Sequence, residues 1–345
     1  MLLKKLTEAV GISGRETEVR EIIKEEVANH VEEVKTDSLG NLITYQQGDP
    51  AKPTLMLAAH MDEIGLMITQ ITSDGLLKFK PVGGIDKRIL VSKQVVIGEE
   101  KIPGVIGAKA IHLQEPKERK KVLDYKKLYI DIGADDKDQA KQKIDLGMMA
   151  SFPTRYQKLN NGLIKGKAFD DRLGCAELIK IIQEDYDFSL YGVFTVQEEI
   201  GTRGAKVATY SIDPDLALVL EGTTASDVPE SKEAEYSTSL GEGPALTLRD
   251  ASTIPDPRLV EELTTIAKEE EITYQWRQST QAGTDAGAIH LTKEGIPTAV
   301  ISVPCRYIHS PVSLADLKDY QATIHLVRSF CEKIDKGGIK LETIN

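Results

Sequence analysis

The sequence predicts an α/β chain: a doubly wound, mainly parallel sheet forming one catalytic domain, interrupted by a small inserted β-rich domain. Three observations lead there. The apolar runs Leu55 to Ala59, Tyr191 to Val196, Leu216 to Leu220 and Ala299 to Pro304 are short and show little polar alternation, as parallel strands buried on both faces should. Segments with apolar residues at helical spacing accompany them. Between about Leu66 and Ile164 the texture changes to brief β-like pieces among Gly, Pro and charged loops, which suits a compact β unit and not βαβ crossovers.

Leu2, Leu3, Leu6, Ala9 and Val10 recur at helical spacing until Gly11 stops the segment, and Val19, Ile22, Ile23, Val27 and Val31 repeat the pattern. Leu42 to Tyr45 and Thr54 to Ala59 read as strands, the second running into His60-Met61-Asp62. Met67 to Ile71, Leu77 to Lys80, Val95 to Ile97 and Leu128 to Ile132 are the short strands of the insertion. After Lys167-Ala168-Phe169-Asp170 the α/β rhythm resumes: a helix near Arg172 to Gln183, strands from Tyr191 and Leu216, a helix near Arg258 to Glu270 and a strand from Thr298. Ser313-Leu314-Ala315-Asp316 has the spacing of a capping box and is expected to open a final helix to about Ile334. The expected domains are 1–66 with 164–345, and the insertion 67–163.

A chain of 345 residues with 41% apolar and 28% charged composition is long enough for about two globular domains. Its net charge of −11 argues against a nucleic-acid or anionic-membrane partner, and the Lys117 to Lys127 cluster reads as solvated surface. Cys175, Cys305 and Cys331 are too scattered for a disulfide framework or a Cys-type zinc site, so a reduced cytoplasmic setting is expected. Met1 to Leu6 holds no sustained apolar core and no stretch of about 18 apolar residues follows, so neither secretion nor a membrane span is expected.

The chemistry concentrates in His60, Asp62, Asp170, Glu198, Glu199, Glu221 and His309, enough for two metal ions and a base. Several of them follow an apolar run directly, and open α/β sheets bind ligands outside the carboxyl ends of their strands. A carboxylate such as Asp62 beside an imidazole is a common device for presenting a ring nitrogen to a zinc-like ion. Asp170 and Asp171 stand at the mouth of a helix whose apolar face is Cys175, Leu178, Ile179 and Ile182. Helix capping accounts for one of the two and leaves the other free. Glu198 and Glu199 close a strand side by side, where they repel each other and lose hydration unless cations compensate. Strand alternation sends them in different directions, so one can ligate while its neighbour reaches water. Such donors suit zinc, cobalt, manganese or iron. His30, His112, His290 and His325 lack this setting, Cys175 reads as core, Cys305 has no visible base, and Trp276 reads as packing.

Taken together, Ala59-His-Met-Asp-Glu-Ile-Gly65, Ala168-Phe-Asp-Asp-Arg172, Gln197-Glu-Glu-Ile-Gly201, Gly283-Thr-Asp-Ala286 and Arg306-Tyr-Ile-His-Ser-Pro311 resemble, in order and across essentially the whole chain, family 42 of the metallopeptidases. That family includes the tetrahedral (TET) aminopeptidases, glutamyl and deblocking aminopeptidases and FrvX-like proteins. The resemblance implies one ion held by His60 and Glu221, a second by Glu199 and His309, and Asp170 bridging both. It also implies Asp62 orienting His60, Glu198 as general base, and Asp285 and Arg306 supporting from behind. Many members carry aspartate where this chain has Glu221, whose longer arm is expected to ligate while shifting one ion. The resemblance further implies peptide substrates, zinc or cobalt with manganese or iron as alternatives, and an inserted domain that dimerises and helps build a dodecamer. Two other readings compete. A glycoside hydrolase would place two carboxyls about 5–5.5 Å apart around a sugar bond, and one tryptophan with 5% aromatics offers few stacking platforms. A non-catalytic metal scaffold would not need Glu198. The preferred first residue is not legible.

Overall fold

Two helices, α1 (Leu2–Glu8) and α2 (Thr17–Val27), precede the strands β1 (Glu33–Thr36), β2 (Leu42–Gln46) and β3 (Leu55–His60) in a computed structural model that describes residues 1–229 and 231–339. The second helix stops short of Val31. An insertion follows, with β4 (Gly65–Ile71), β5 (Leu77–Val82), β6 (Gln94–Ile97), β7 (Ile102–Ala108), β8 (Leu128–Asp131) and β9 (Met149–Ser151), and the short helices α3 (Pro116–Arg119) and α4 (Lys137–Lys141). The chain returns through β10 (Gln157–Lys158), β11 (Leu163–Gly166), α5 (Phe169–Ile182), β12 (Leu190–Thr195), α6 (Arg203–Ile212) and β13 (Leu216–Ala225). It ends with β14 (Ala245–Thr247), α7 (Pro257–Glu269), β15 (Gln275–Arg277), α8 (Ala286–Ile289), β16 (Thr298–Arg306), β17 (Ser313–Asp316) and α9 (Leu317–Asp335).

The unalternated apolar runs form the middle of one sheet, ordered β1-β2-β12-β3-β13-β16-β17-β11-β10, with β14 on β16 and β15 on β14. Its centre, β12-β3-β13-β16, is parallel and its margins are antiparallel. Period-two alternation explains why these strands need apolar residues throughout. Leu55, Leu57, Leu218 and Ile301 face a core shared with α1, α2, α5, α7 and α9. Met56, Ala58, Val219 and Val300 face the opposite layer with Ala205 and Ala208 of α6 and Ala286 and Ile289 of α8.

The insertion closes into an antiparallel barrel, β4-β5-β8-β7-β6-β9, around Leu66, Ile68, Phe79, Ile106 and Ile130. Closure leaves no free strand edge. It hangs directly from the end of β3, so its loops reach the sheet's carboxyl edge. The capping-box expectation at Ser313 is corrected: Ser313–Asp316 is a strand paired with both β16 and β11. Its backbone is committed to that ladder, and only Asp316 caps α9, accepting from the Lys318 amide at 2.8 Å. Cys175, Cys305 and Cys331 are free and buried. Trp276 meets Tyr274 edge-on but stays 37% exposed, so it is less packed than expected. Among the described residues no helix is long and apolar enough to cross a membrane.

Candidate metal centre

Parallel pairing fixes the heights of the site residues. Thr195 of β12 is level with His60 at the end of β3, and the β3–β13 pairing reaches Val219 opposite Ala58, which sets Glu221 level with His60 from the other side. Glu198 and Glu199 lie in the turn after β12, and His309 in the turn after β16. Asp170 enters from the first turn of α5 and meets both imidazoles. One of its carboxylate oxygens is 3.0 Å from His60 Nε2 and the other 3.2 Å from His309 Nε2. Glu221 stands 3.6 Å from the first ring nitrogen and Glu199 3.5 Å from the second.

Both rings are turned the same way. His60 Nδ1 is 3.1 Å from the Asp62 carbonyl and His309 Nδ1 is 3.0 Å from the Gly84 carbonyl. Carbonyls only accept, so Nδ1 carries the proton in each case and Nε2 is left to face the carboxylates. The two aspartates of α5 divide their work. Asp171 accepts from the amides of His60 at 3.1 Å and Gly174 at 3.0 Å, a capping role, while Asp170 is left for the rings. His60, Asp171 and Glu221 also offer oxygen and nitrogen atoms within 4.8 Å of one another, as do His60, Asp170 and Glu199. Because Asp171's oxygens are already held by backbone amides, Asp170 is the better donor. Gly222 makes room for it: a Cβ there would stand 3.0 Å from Asp170 Cα.

Asp62 is more than a partner for His60. Fully buried, it accepts from the amides of Glu198 at 2.9 Å and Glu199 at 3.2 Å and from the Ser13 hydroxyl at 2.5 Å. It therefore ties the β3 end to the Glu198–Glu199 turn. Ala168, Gln197 and His309 adopt left-handed backbone, with φ of 51°, 57° and 55°. Such non-glycine residues carry strain of about 1–3 kcal/mol each and cluster at functional sites.

The electrostatics are lopsided. Burial, with Asp170's charge adding to it, pushes Glu199 up to about 8. Burial likewise drives Glu198 and Glu221 well above the usual carboxylate range, with His60 opposing it and the neighbouring acids adding to it. Burial opposes charge on the imidazoles, but the Asp170 hydrogen bonds together with Asp62 and Glu221 at His60 and Glu199 at His309 outweigh it, holding His60 well above its ordinary value and His309 at about 9. Asp170 itself is held low by the two rings against the effect of burial. Glu198, Glu199 and Glu221 crowd around two imidazoles and Asp170, and burial makes these glutamates hold their protons; divalent cations would supply the charge that lets them ionise. The donor set thus fits metal.

Several neighbours were not read from the sequence. Gly83 and Gly84 of the barrel bring its edge to the centre: a Cβ at Gly83 would meet Glu199 at 3.3 Å. Thr195 donates to Asp285 at 2.5 Å, and burial pushes Asp285 up to about 6. Arg306, expected to support the centre, forms a two-point pair with Asp227 at 2.7 and 2.5 Å instead. The arginine that joins the site is Arg277. With Glu198, Glu221, Asp170, Thr284 and His309 it lines a cavity of about 220 Å³.

The family model of the M42 glutamyl aminopeptidase matches residues 40–326. The solved TET aminopeptidase from the marine sediment archaeon Thaumarchaeota archaeon SCGC AB-539-E09 superposes with a TM-score of 0.94 at 37% identity, covering 98% of this chain and 97% of that one. Pyrococcus horikoshii TET1 peptidase, described as able to assemble into a tetrahedron or a large octahedral shell, superposes at 0.85 with 34% identity, covering 96% and 98%. The lysyl aminopeptidase of Pyrococcus furiosus is 34% identical over 96% of both chains.

Proposed function

The chain belongs to the M42 glutamyl aminopeptidase family and is a metal-dependent aminopeptidase, and from that premise we propose that it removes the first residue of peptides with two divalent cations and a glutamate base. The observation that carries the reading is the Asp170 carboxylate, whose oxygens lie 3.0 and 3.2 Å from Nε2 of two different histidines. That is the posture of a bridging ligand. His60, Glu221 and Asp170 would hold one cation, and Glu199, His309 and Asp170 the other. Zinc or cobalt suits these imidazole and carboxylate donors, with manganese or iron as alternatives.

When bound, the cations supply the positive charge that acidifies water and polarises the scissile carbonyl. The chain does the rest. Glu198 lines the cavity and takes the proton of the attacking water, then delivers it to the leaving amine nitrogen so that the C–N bond breaks to a neutral amine. Asp62 holds the ring of His60 and, through two backbone amides, keeps base and ligand in one geometry. Glu198→Gln is expected to keep its metal and lose about 10²–10⁴-fold in kcat. Unchanged turnover on aminoacyl-p-nitroanilides at full metal content would remove Glu198 from this role.

Residues 67–163 form, in this reading, the unit through which protomers dimerise and build a dodecamer. Ile111, Leu113 and Val122 support it, apolar side chains left 53–68% exposed on that unit, as does the shell-forming P. horikoshii relative. Light scattering should return about twelve times the 38.0 kDa chain mass, and a monomer would sink the assembly. Three unpaired cysteines favour the cytoplasm. The glycosidase reading gains nothing: among the described residues lining the cavity there is no Phe, Tyr or Trp ring for a sugar to stack on.

A further inference from the structure

We propose that the inserted barrel sets the affinity of one of the two cation positions, and that Tyr125 is the positioning residue through which it does so. The inference rests on the two-cation reading and adds to it a residue of the other domain. The groups that orient His60 belong to the sheet domain: its Nδ1 faces the Asp62 carbonyl, and its side chain is only 1% exposed. His309 is placed differently. Its side chain is 40% exposed, its φ is 55°, and its Nδ1 faces the Gly84 carbonyl at 3.0 Å, on a loop of the insertion 225 residues away in the chain. The adjoining Gly83, at φ 77°, lies so close to Glu199 that a Cβ would stand 3.3 Å from its Oε2. Both ligands proper to that position therefore lean on the barrel.

That loop is held from the barrel side. Tyr125, in the 3-10 turn Tyr125–Lys127 before β8, donates its hydroxyl to the carbonyl of Ile85, the residue after Gly84. The Tyr125 ring meets Phe79 of β5 edge-on, with 6.5 Å between centroids, and both Tyr125 and Ile85 pack against the barrel core. Asp86 fixes the far end of the loop, accepting from the Arg88 amide at 2.9 Å. The turn beyond His309 is caught by the insertion as well, where Thr154 donates to the Pro311 carbonyl at 2.6 Å. A ligand ring whose Nδ1 has lost its acceptor can swing or change tautomer, and such outer partners contribute about 10–100-fold to metal affinity. Tyr125 acts one step behind Gly84, so the lower end of that range is expected. His60 and Glu221 take no support from this loop, so the loss should fall on one cation only.

The test reads bound cobalt per chain by metal analysis after equilibrium dialysis against a series of buffered free cobalt concentrations, on wild type, Tyr125→Phe, Gly84→Ala and Tyr129→Phe. Wild type should take up two. Tyr125→Phe, which removes only the hydroxyl, should need about 10-fold more free cobalt for one equivalent and no more for the other. Gly84→Ala, whose Cβ would stand 3.2 Å from His309 Nδ1, should do the same, and it decides the matter if Tyr125→Phe fails to fold. Tyr129→Phe alters another barrel tyrosine, one that donates to the Ala108 carbonyl at 3.4 Å, and should bind both ions as wild type does. In His309→Ala, which should keep one cation, adding Tyr125→Phe should change nothing. Two cobalt ions held equally well by wild type and Tyr125→Phe overturn the proposal. So does a variant that loses both alike, a loss equalled in Tyr129→Phe, or a further loss on the His309→Ala background. Fewer than two in wild type at saturating cobalt overturns the two-cation reading, and this inference with it.

Discussion

Replacing Lys167 by methionine should destabilise the chain without touching the metal centre directly. Lys167 Nζ donates to both oxygens of Glu63, at 2.6 and 2.7 Å, and to the Ala9 carbonyl at 2.7 Å, with both side chains 3% exposed. Glu63 also accepts from the Gly11 amide at 3.0 Å and has the Arg172 guanidinium 3.5 Å away. The group pins the α1–α2 loop and the β11–α5 junction to the end of β3. Removing one partner of a buried pair costs about 3–5 kcal/mol because it strands the other charge. Arg172 stays close enough to shield Glu63, so about 3 kcal/mol is expected. With an unfolding entropy of about 2.1 cal/mol/K per residue, the chain should lose about 4 °C in Tm. Calorimetry of chelated protein at pH 7 and fixed concentration measures it. The pair itself is not a net gain over apolar residues: burial pushes the Lys167 amine down from 10.5 to about 8, with Arg172 adding to burial and Glu63 only partly opposing it. Unfolding therefore takes up a proton between about pH 8 and 10.5, so this group's contribution to stability rises with pH in that window. The variant should lack that rise. Adding Glu63→Gln to Lys167→Met should recover much of the loss, since no charge is then stranded. A single variant within 1 °C of wild type, or a double variant as unstable as the two singles added, would refute the reasoning.

Asp62→Ala leaves His60 Nδ1 its carbonyl partner but frees the amides of Glu198 and Glu199. Metal affinity should fall about 10–100-fold in chelator competition, and kcat should fall with it; a change in neither would confine Asp62 to packing. Chelation should lower Tm, since cations at about 1,000 times their Kd contribute about 4 kcal/mol, or about 6 °C here. Equal melting with and without EDTA would mean that the acids are not waiting for metal. Gly222→Ala would set a Cβ 3.0 Å from Asp170 Cα and 3.2 Å from its Cβ, so bound metal per chain should drop while far-UV circular dichroism holds; full occupancy would show that the loop yields cheaply.

What could be read in advance was what local patterns encode. Unalternated apolar runs announce strands buried on both faces, and a parallel sheet then places the residues after those runs along one edge, so His60, Glu198, Glu221 and His309 could be brought together before any coordinates. Capping chemistry likewise showed that one of Asp170 and Asp171 is spent on the helix and the other left free, but not which. The failures share a cause. Ser313–Asp316 carries a helix-start pattern, but pairing with strands on both sides, one of them β11 some 150 residues earlier, decides the backbone there. The Asp62 contacts with Glu198 and Glu199, the approach of Gly84 to His309 and the seat of Arg277 in the cavity all join segments far apart in sequence, and no periodicity reports them. Arg306 misled for the opposite reason: it stands three residues from His309, yet a strand end aims it at Asp227. Spacing finds the residues of the candidate centre when each sits at the end of its own strand. It does not find the wall of the cavity, because that wall is assembled from β13, β15 and the loops after β15 and β16 at once. The carboxyl edge of the sheet is therefore the part of such a chain that a sequence discloses first, and the cavity wall is the part for which a structure is needed.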